Sequence, residues 1–210
     1  MTQQTWKKKY QMRPTTAGDA AGVLALRNAC HVEQVGRKRL DASEMEAEWK
    51  MPSLDLERDS RVVQTAAGDL VGFVTVWDSA PVRVFIQLAV HPDHNGQGIA
   101  TALGRWAEER AQQAVPKAPE GARVVIHRSA YSTNQEARAL LQREGYQVVR
   151  HFFGMEIILD GPPPDPVVPE GIVIRPFDRA KETEALVRAI REAFEDHWAV
   201  SYTHLTLPTN

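Results

Sequence analysis

The chain has 210 residues, of which 43% are apolar and 25% are charged, and its formal net charge is −2. This is the composition of a soluble globular protein, long enough for one ordinary domain with a sizeable core or for one domain and part of another. It excludes a disordered chain, offers no basic field for a nucleic-acid partner, and contains no run of about 18 apolar residues that could cross a membrane.

The chain contains one cysteine, Cys30. A single cysteine excludes an internal disulfide framework and gives no reason to expect an oxidising compartment. Because Cys30 ends an apolar, helix-periodic stretch, we predict a buried structural thiol. The amino terminus has positive charge but no apolar run after it, so the sequence predicts a cytoplasmic protein without a membrane partner.

The first half of the chain alternates between strand and helix patterns. "KYQMRPTT" predicts a short strand that stops at Pro14, and "AGDAAGVLALRNA" predicts a helix. A second, charged helix is predicted over Ser43 to Lys50. "RVVQTAA" and "LVGFVTVW" flank the turn pair Gly68-Asp69 and predict a hairpin, and "VRVFIQLAV" is the most strand-like run of the chain.

The second half continues in the same way. A helix follows the strand that ends near Val90, then "ARVVIH" predicts a buried strand and "NQEARALLQREG" a helix stopped by Gly145. "YQVVRHFFGMEIIL" predicts one or two closing strands. A meander followed by crossover helices predicts an α/β or α+β fold, in which one sheet carries helices on its faces.

A proline-rich stretch divides the chain. "DGPPPDPVVPEG" has five prolines in twelve residues and predicts an extended linker. Beyond it, Arg175-Pro176 repeats Arg13-Pro14 at a distance of 162 residues, again between a strand-like and a helix-like stretch. We therefore predict a first domain over 1–160, a linker over 161–170 and the start of a second, truncated copy over 171–199.

The last residues break this repeat. The stretch "VSYTHLTLPT" matches one reading frame of a transposase adapter used in DNA library preparation. We expect residues 200–210 to be a non-native tail, with the natural chain continuing past Ala199, so Tyr202 and His204 receive no functional role.

Two glycines, Gly96 and Gly98, separate the strand-like run from the helix that follows it. Glycines there permit positive φ and close approach of a ligand, and a helix N-terminus presents unpaired N–H groups. The bend is therefore a candidate phosphate site, with a plain turn into a helix as the alternative. A Walker loop is excluded because Ile99 follows Gly98, and a dinucleotide fingerprint because Thr101 stands where its third glycine belongs.

The stretch "LAVHPDHNGQGIATALGRWAEERA" resembles the cofactor motif of the GCN5-related N-acetyltransferases (GNAT), in which a strand ending in V-H-P precedes R/Q-x-x-G-x-G/A and a helix. "NQEARALLQREGYQ" resembles their second motif. The resemblance covers about residues 9–159 and implies the GNAT fold, a mixed central sheet with helices on both faces. The two-copy arrangement is similar to that of mycothiol synthase and related tandem acetyltransferases.

The resemblance implies acetyl-CoA as co-substrate and assigns a role to three segments. Main-chain groups of the loop would hold the pyrophosphate: Asn95, Gly96, Gln97, Gly98, Ile99, Ala100 and Thr101. The strand end would pair with the pantetheine arm and supply an oxyanion-binding N–H: Leu88, Ala89 and Val90. Asn134 would contact the pantetheine portion, and its other role, which is compatible, is to cap the helix that it begins.

Two positions depart from the family pattern. Asn95 replaces the usual Arg or Gln, which implies weaker cofactor binding. Leu141 lies seven residues after Asn134, where many members carry a tyrosine that protonates the departing thiolate. Tyr131 is a candidate substitute for that acid, with an ordinary loop aromatic as the alternative. His91 and His127 are of the residue type that most often serves as a general base, but strand-end histidines are more often structural.

The expected activity is N-acetyl transfer from acetyl-CoA to a primary amine of a small molecule or peptide, without a metal. The alternative is a non-catalytic domain that binds acyl-CoA to sense it or to support a catalytic second domain. Leu141 favours the alternative, whereas both glycines are compatible with either. The acceptor, and whether the protein forms a dimer, are left open by the sequence.

Overall fold

The structure is a computed structural model that describes residues 9–80 and 82–195. Five strands form one sheet in chain order: β1 (Tyr10–Pro14), β2 (Ser60–Thr65), β3 (Leu70–Ala80), β4 (Arg83–Val90) and β5 (Val125–Arg128). β1 to β4 pair antiparallel, and β5 lies parallel to β4. The hairpin and the strands predicted from "KYQMRPTT", "VRVFIQLAV" and "ARVVIH" are confirmed, although the residues of β5 are half-buried and not buried as expected.

The described helices are α1 (Ala20–Val35), α2 (Ala42–Trp49), α3 (Leu56–Asp59), α4 (Ile99–Ala111), α5 (Gln135–Arg143) and α6 (Arg179–Ala193). Short 3₁₀ turns occupy Ala17–Asp19, Pro92–His94 and Gln112–Lys117. α4 makes the crossover that a parallel β4–β5 pair requires. Across the described ranges, no helix combines the length and apolar character needed to span a membrane.

Helices pack on both faces of the sheet, as the sequence predicted. Neighbouring strand residues point to opposite faces, so Val63 and Val74 belong to one buried cluster while Val62 and Phe73 belong to the other. The first cluster is completed by α4 through Ile99, Leu103 and Ala107. The second is completed by α1 and α2 through Val23, Leu26 and Met45. The fold class is therefore a mixed α/β sheet covered on both sides.

The chain divides into two units, Met1–Gln147 and Val148–Asn210. The sheet and α1 to α5 belong to the first unit. The second unit contains α6, which is the helix expected from "RAKETEALVRAIREA". Residues 196–199 of the predicted second copy and the expected non-native tail over 200–210 lie outside the described residues. The domain boundaries at 160 and 170 stay predictions.

The predicted closing strands over residues 146–159 are wrong. No strand is assigned there, and Phe152 and Phe153 are each 85% exposed. An apolar alternation becomes a strand only where a neighbouring strand accepts its backbone hydrogen bonds, and no described strand pairs with this segment. The strand expected just before Arg175-Pro176 is absent from the described second unit for the same reason.

Candidate active site

The bend between β4 and α4 has the backbone conformation that its glycines make available. Gly96 has φ +70° and Gly98, the N-cap of α4, has φ +80°. Both values lie in the left-handed region, which side chains with a Cβ adopt at a cost. An ideal Cβ on Gly96 would have no neighbour within 4 Å, so the bend opens to solvent on that side. The chain therefore folds back through the bend and leaves its outer side accessible.

The bend and the first turn of α4 present a run of backbone donors. Within the described chain, the N–H groups from Gly96 to Thr101 have no backbone or side-chain acceptor, and the first α-helical bond runs from Ala102 N to Gly98 O. A 13-residue helix adds a partial positive charge at this end. Six consecutive unpaired N–H groups on a concave turn form a binding geometry for an anion.

β1 holds the bend from the side. The Tyr10 hydroxyl is hydrogen-bonded to His94 Nδ1 at 2.9 Å, and Lys9 Nζ donates to Gln97 Oε1 at 3.4 Å. Tyr10 is 2% exposed, so this anchor is part of the buried core. Sequence reasoning missed Lys9 and His94 as members of the site, because nothing in their spacing signals a contact across more than 80 residues.

The end of β4 leaves the parallel ladder early. β5 pairs with β4 from Arg83 to Ile86, and the described ladder ends at the Ile86–Arg128 pair. Beyond it, Gln87 to Val90 pair with β3 on one side only. The three predicted pantetheine residues, Leu88, Ala89 and Val90, are half-buried in this stretch. The β5 side of that stretch is an edge to which an extended ligand can add hydrogen bonds.

Asn134 is the N-cap of α5. Its Oδ1 accepts a hydrogen bond from Ala137 N at 2.9 Å, which is the capping role that the sequence analysis placed beside cofactor contact. Asn134 N donates to Tyr131 O at 3.0 Å, so the two candidate residues belong to one tight loop. The cap fixes the start of α5 next to the loop that carries Tyr131.

Tyr131 contacts α1. Its ring meets the His31 ring edge-on, with 6.2 Å between centroids, and Thr133 Oγ1 donates to Gln34 O at 3.0 Å. Burial lowers the pKa of His31, with smaller contributions from Arg27 and Arg39, so its imidazole is neutral at neutral pH. His31 Nδ1 is buried and has no partner in the described structure. Sequence reasoning missed His31, whose only signal was a polar residue within an amphipathic helix.

Cys30 is buried, as predicted. Its thiol donates to Val90 O at 3.1 Å and ties α1 to the end of β4. Burial raises the pKa of Cys30 to about 11, and the charge of Glu33 adds to the effect. The neutral thiol is a packing group and a weak donor, because only the thiolate is a strong nucleophile.

The remaining predicted candidates have structural roles. His91 caps the turn Pro92–His94, with Nδ1 accepting from Asp93 N at 3.3 Å. The His127 ring packs on Phe85 with 5.2 Å between centroids. Leu141 is half-buried on α5, where it offers no proton. Among the described residues, no group of three His, Cys, Asp or Glu side chains is placed to hold a metal ion.

Part of the chain matches a known family model. Residues 57–148 match the model of the acetyltransferase (GNAT) domain. A mycothiol acetyltransferase from Sanguibacter keddieii is 31% identical over 193 residues, which cover 88% of this chain and 56% of that protein. The chain spans about half the length of the curated relatives it matches.

Solved structures share the fold. A GCN5-related N-acetyltransferase from Sphaerobacter thermophilus superposes with a TM-score of 0.72 at 29% identity, over 88% of this chain and 58% of that one. The structure of yncA from Salmonella typhimurium with its cofactor acetyl-CoA superposes with a TM-score of 0.53 at 18% identity, over 68% of this chain and 82% of that one. Residues 57–148 therefore match the acetyltransferase (GNAT) domain, and the mixed sheet is shared with these solved structures.

Proposed function

We propose that the first unit binds acetyl-CoA and transfers its acetyl group to a primary amine of a small molecule or peptide. The observation that carries the proposal is the run of unpaired backbone N–H groups from Gly96 to Thr101. The pyrophosphate of CoA is a compact dianion, and a helix N-terminus with oriented amides complements it without needing a basic side chain in the loop. Lys9, held beside Gln97, adds a positive charge nearby.

The pantetheine arm would lie along the exposed edge of β4. Its amides match the spacing of a peptide strand, and Leu88 to Val90 offer backbone groups on the side that β5 leaves open, apart from Val90 O, which accepts from the Cys30 thiol. A backbone N–H at this strand end would donate to the carbonyl oxygen as negative charge develops on it. The adjacent α1 residues Cys30 and His31 contact Val90 and Tyr131, which supports a thioester position near the loop of Tyr131.

The reaction forms the amide C–N and thiol S–H bonds and breaks the thioester C–S bond and one amine N–H bond. The neutral amine nitrogen attacks the thioester carbonyl carbon, the amide C–N bond forms, the C–S bond breaks, and the amine proton is lost to solvent. The departing thiolate takes a proton and leaves as CoA. We assign this proton to the Tyr131 hydroxyl, which regains one from solvent after the transfer, and His31 is the residue that positions the Tyr131 ring.

The relatives are named mycothiol acetyltransferases, which makes an acceptor of the mycothiol type the first to test. A cytoplasmic location is part of the proposal and is supported by the single cysteine. The tandem arrangement is also part of it. α6 follows the second Arg-Pro pair as α1 follows the first, which supports the repeat.

A second candidate function is acyl-CoA binding without catalysis. It is favoured by Leu141, which stands on α5 where the family resemblance implies a tyrosine. Turnover separates the two functions, because both require acetyl-CoA binding and only the first releases CoA in the presence of an amine.

The test is calorimetric titration of the full chain with acetyl-CoA, followed by detection of free CoA with a thiol reagent in a panel of amines. Gly98→Asp adds a carboxylate beside the pyrophosphate, and we expect at least about a tenfold loss of affinity. Gly68→Asp is the matched control, because Gly68 has positive φ like Gly98 but lies in the β2–β3 turn, where open space surrounds it. Equal affinity in folded Gly98→Asp and Gly68→Asp would remove the bend from the binding site.

A further inference from the structure

A cleft of about 380 Å³ lies between α4 and α5 and adjoins the candidate cofactor bend. Thr101, in the first turn of α4, belongs both to the unpaired N–H run and to the cleft wall. The residues lining the cleft are Thr101, Arg105, Glu108, Leu140, Arg143 and Glu144. An anion held at the bend therefore has a charged cleft next to it.

The carboxylates of this cleft already have partners. Arg128, which is 7% exposed, donates to Glu144 at 2.8 Å and lies 4.0 Å from Glu108. The Tyr146 hydroxyl donates to Glu108 at 2.8 Å. Because Glu108 and Glu144 already accept these hydrogen bonds, they attract other cations less strongly than unpaired carboxylates would.

The two exposed arginines of the cleft are different. Neither Arg105 nor Arg143 makes a hydrogen bond or ion pair with any residue that the structure describes. Three arginines thus surround two engaged carboxylates, and the two exposed ones lie on opposite walls, Arg105 on α4 and Arg143 at the end of α5. Two unpaired guanidinium groups facing one cleft repel each other unless an anion lies between them, and a phosphate accepts several donors from such forks.

The spacing along α4 indicates which anion fits. Arg105 lies four residues after Thr101, on the same helix face and about one turn of 5.4 Å further along. In CoA, the pyrophosphate and the 3′-phosphate are separated by a single ribose, a span comparable with that turn. We propose that Arg105 and Arg143 bind the 3′-phosphate of CoA when the pyrophosphate lies on the N–H groups of the bend.

This inference rests on the proposed function, because it names the subsite for one group of the same ligand. It makes the cleft a specificity element that separates CoA esters from dephospho-CoA esters, which differ only in the 3′-phosphate. The affinity of the bend for the pyrophosphate does not depend on the two arginines.

The experiment compares acetyl-CoA with acetyl-dephospho-CoA by calorimetry on the full chain. We expect wild type to bind acetyl-CoA about tenfold more tightly, in line with one or two charge-assisted hydrogen bonds at an exposed site. Arg105→Gln and Arg143→Gln should lower acetyl-CoA affinity, leave acetyl-dephospho-CoA affinity unchanged, and together reduce the preference to about one. Arg105→Lys should keep more of the preference for acetyl-CoA than Arg105→Gln does, because lysine retains the positive charge.

Arg123→Gln is the control, since Arg123 is an exposed arginine outside the cleft. Equal binding of the two ligands by wild type overturns the inference alone. A preference that survives in the double variant also overturns it, because the 3′-phosphate then binds elsewhere. Failure of wild type to bind either ligand overturns the proposed function and the inference with it. Thermal melts of the variants confirm that the exposed substitutions leave the fold intact.

Discussion

Gly72 on β3 lies directly beneath Ile99, the first residue of α4. A Cβ on Gly72 would come within 2.7 Å of Ile99 Cγ2, 3.0 Å of Leu103 Cδ1 and 3.1 Å of Val63 Cβ. Gly72 also pairs with Val90, the last residue of β4. One glycine therefore lets the helix start, the strand end and the sheet meet at the candidate cofactor bend.

We expect Gly72→Ala to destabilise the protein and to weaken acetyl-CoA binding together. The new methyl group overpacks a filled core and must displace the start of α4, which costs about 1–3 kcal/mol of unfolding free energy. Gly18→Ala is the control, because its Cβ would meet only Thr16 Oγ1 at an ordinary 3.7 Å. Denaturant unfolding and calorimetry measure both effects, and a Gly72→Ala protein with wild-type values of both would contradict this packing argument.

A buried ion cluster joins α3, β3 and α4. Arg110, 4% exposed, contacts Asp59 at 2.5 Å and Asp78 at 3.1 Å. Arg110→Leu leaves two buried carboxylates without this partner, and we expect a loss of about 3–5 kcal/mol in unfolding free energy. Lys50→Gln, which removes an exposed pair with Glu46, should cost less than about 1 kcal/mol. Similar losses in the two variants would show that the buried cluster has no special role.

The same cluster sets a pH dependence at the acidic end. Burial raises the pKa of Asp59, but hydrogen bonds from Arg58 and Arg110 outweigh it and hold the pKa below its usual value. A carboxyl group with a depressed folded-state pKa contributes stability above its unfolded pKa of about 3.9 and loses it as the pH falls further. Wild type should therefore lose this contribution as the pH falls below about 4, whereas Arg110→Leu, in which the pKa of Asp59 is no longer held down by Arg110, should lose less stability over the same range. Parallel profiles of unfolding free energy against pH for wild type and Arg110→Leu would show that Arg110 does not lower the pKa of Asp59.

Tyr131 tests the proposed proton transfer. Tyr131→Phe keeps the ring against His31 and removes the hydroxyl, so we expect turnover to fall about 10²–10⁴-fold while acetyl-CoA affinity stays constant. Leu141→Tyr adds a hydroxyl on α5 and should raise turnover if Tyr131 alone is a poor acid. Steady-state CoA release measures all three proteins. Undiminished turnover in Tyr131→Phe would dismiss Tyr131 as the acid, and no turnover in any of them would favour the binding-only function.

Cys30 should be unreactive in the folded protein. Its pKa is raised to about 11 and its thiol is engaged with Val90 O, so very little thiolate is present near neutral pH. We expect iodoacetamide to modify Cys30 far more slowly in buffer at pH 7.5 than in denaturant. Mass spectrometry of timed samples measures the difference, and fast labelling of folded protein would contradict the burial.

Local patterns in the sequence predicted five strands, the glycine bend and every described helix except the short α3. Apolar periodicity predicted β4 and α4, and the letters of the bend excluded two other phosphate motifs. These features depend on backbone sterics and on which face of an element is apolar. Both are determined by residues that are close together in the sequence. The capping role of Asn134 could be predicted for the same reason: the residue that it caps, Ala137, lies three residues away.

Contacts between distant elements were decided by the tertiary structure alone. Three such contacts are the approach of Gly72 to Ile99, the ring contact of His31 with Tyr131, and the ion pair of Arg128 with Glu144. The last of these engages Glu144 and leaves the nearby Arg105 and Arg143 without a partner among the described residues. The strands expected over residues 146–159 failed because a strand requires a paired neighbour as well as an apolar alternation. Sequence periodicity reports which face of an element is apolar, whereas packing across the fold decides what that face or an exposed charge will meet.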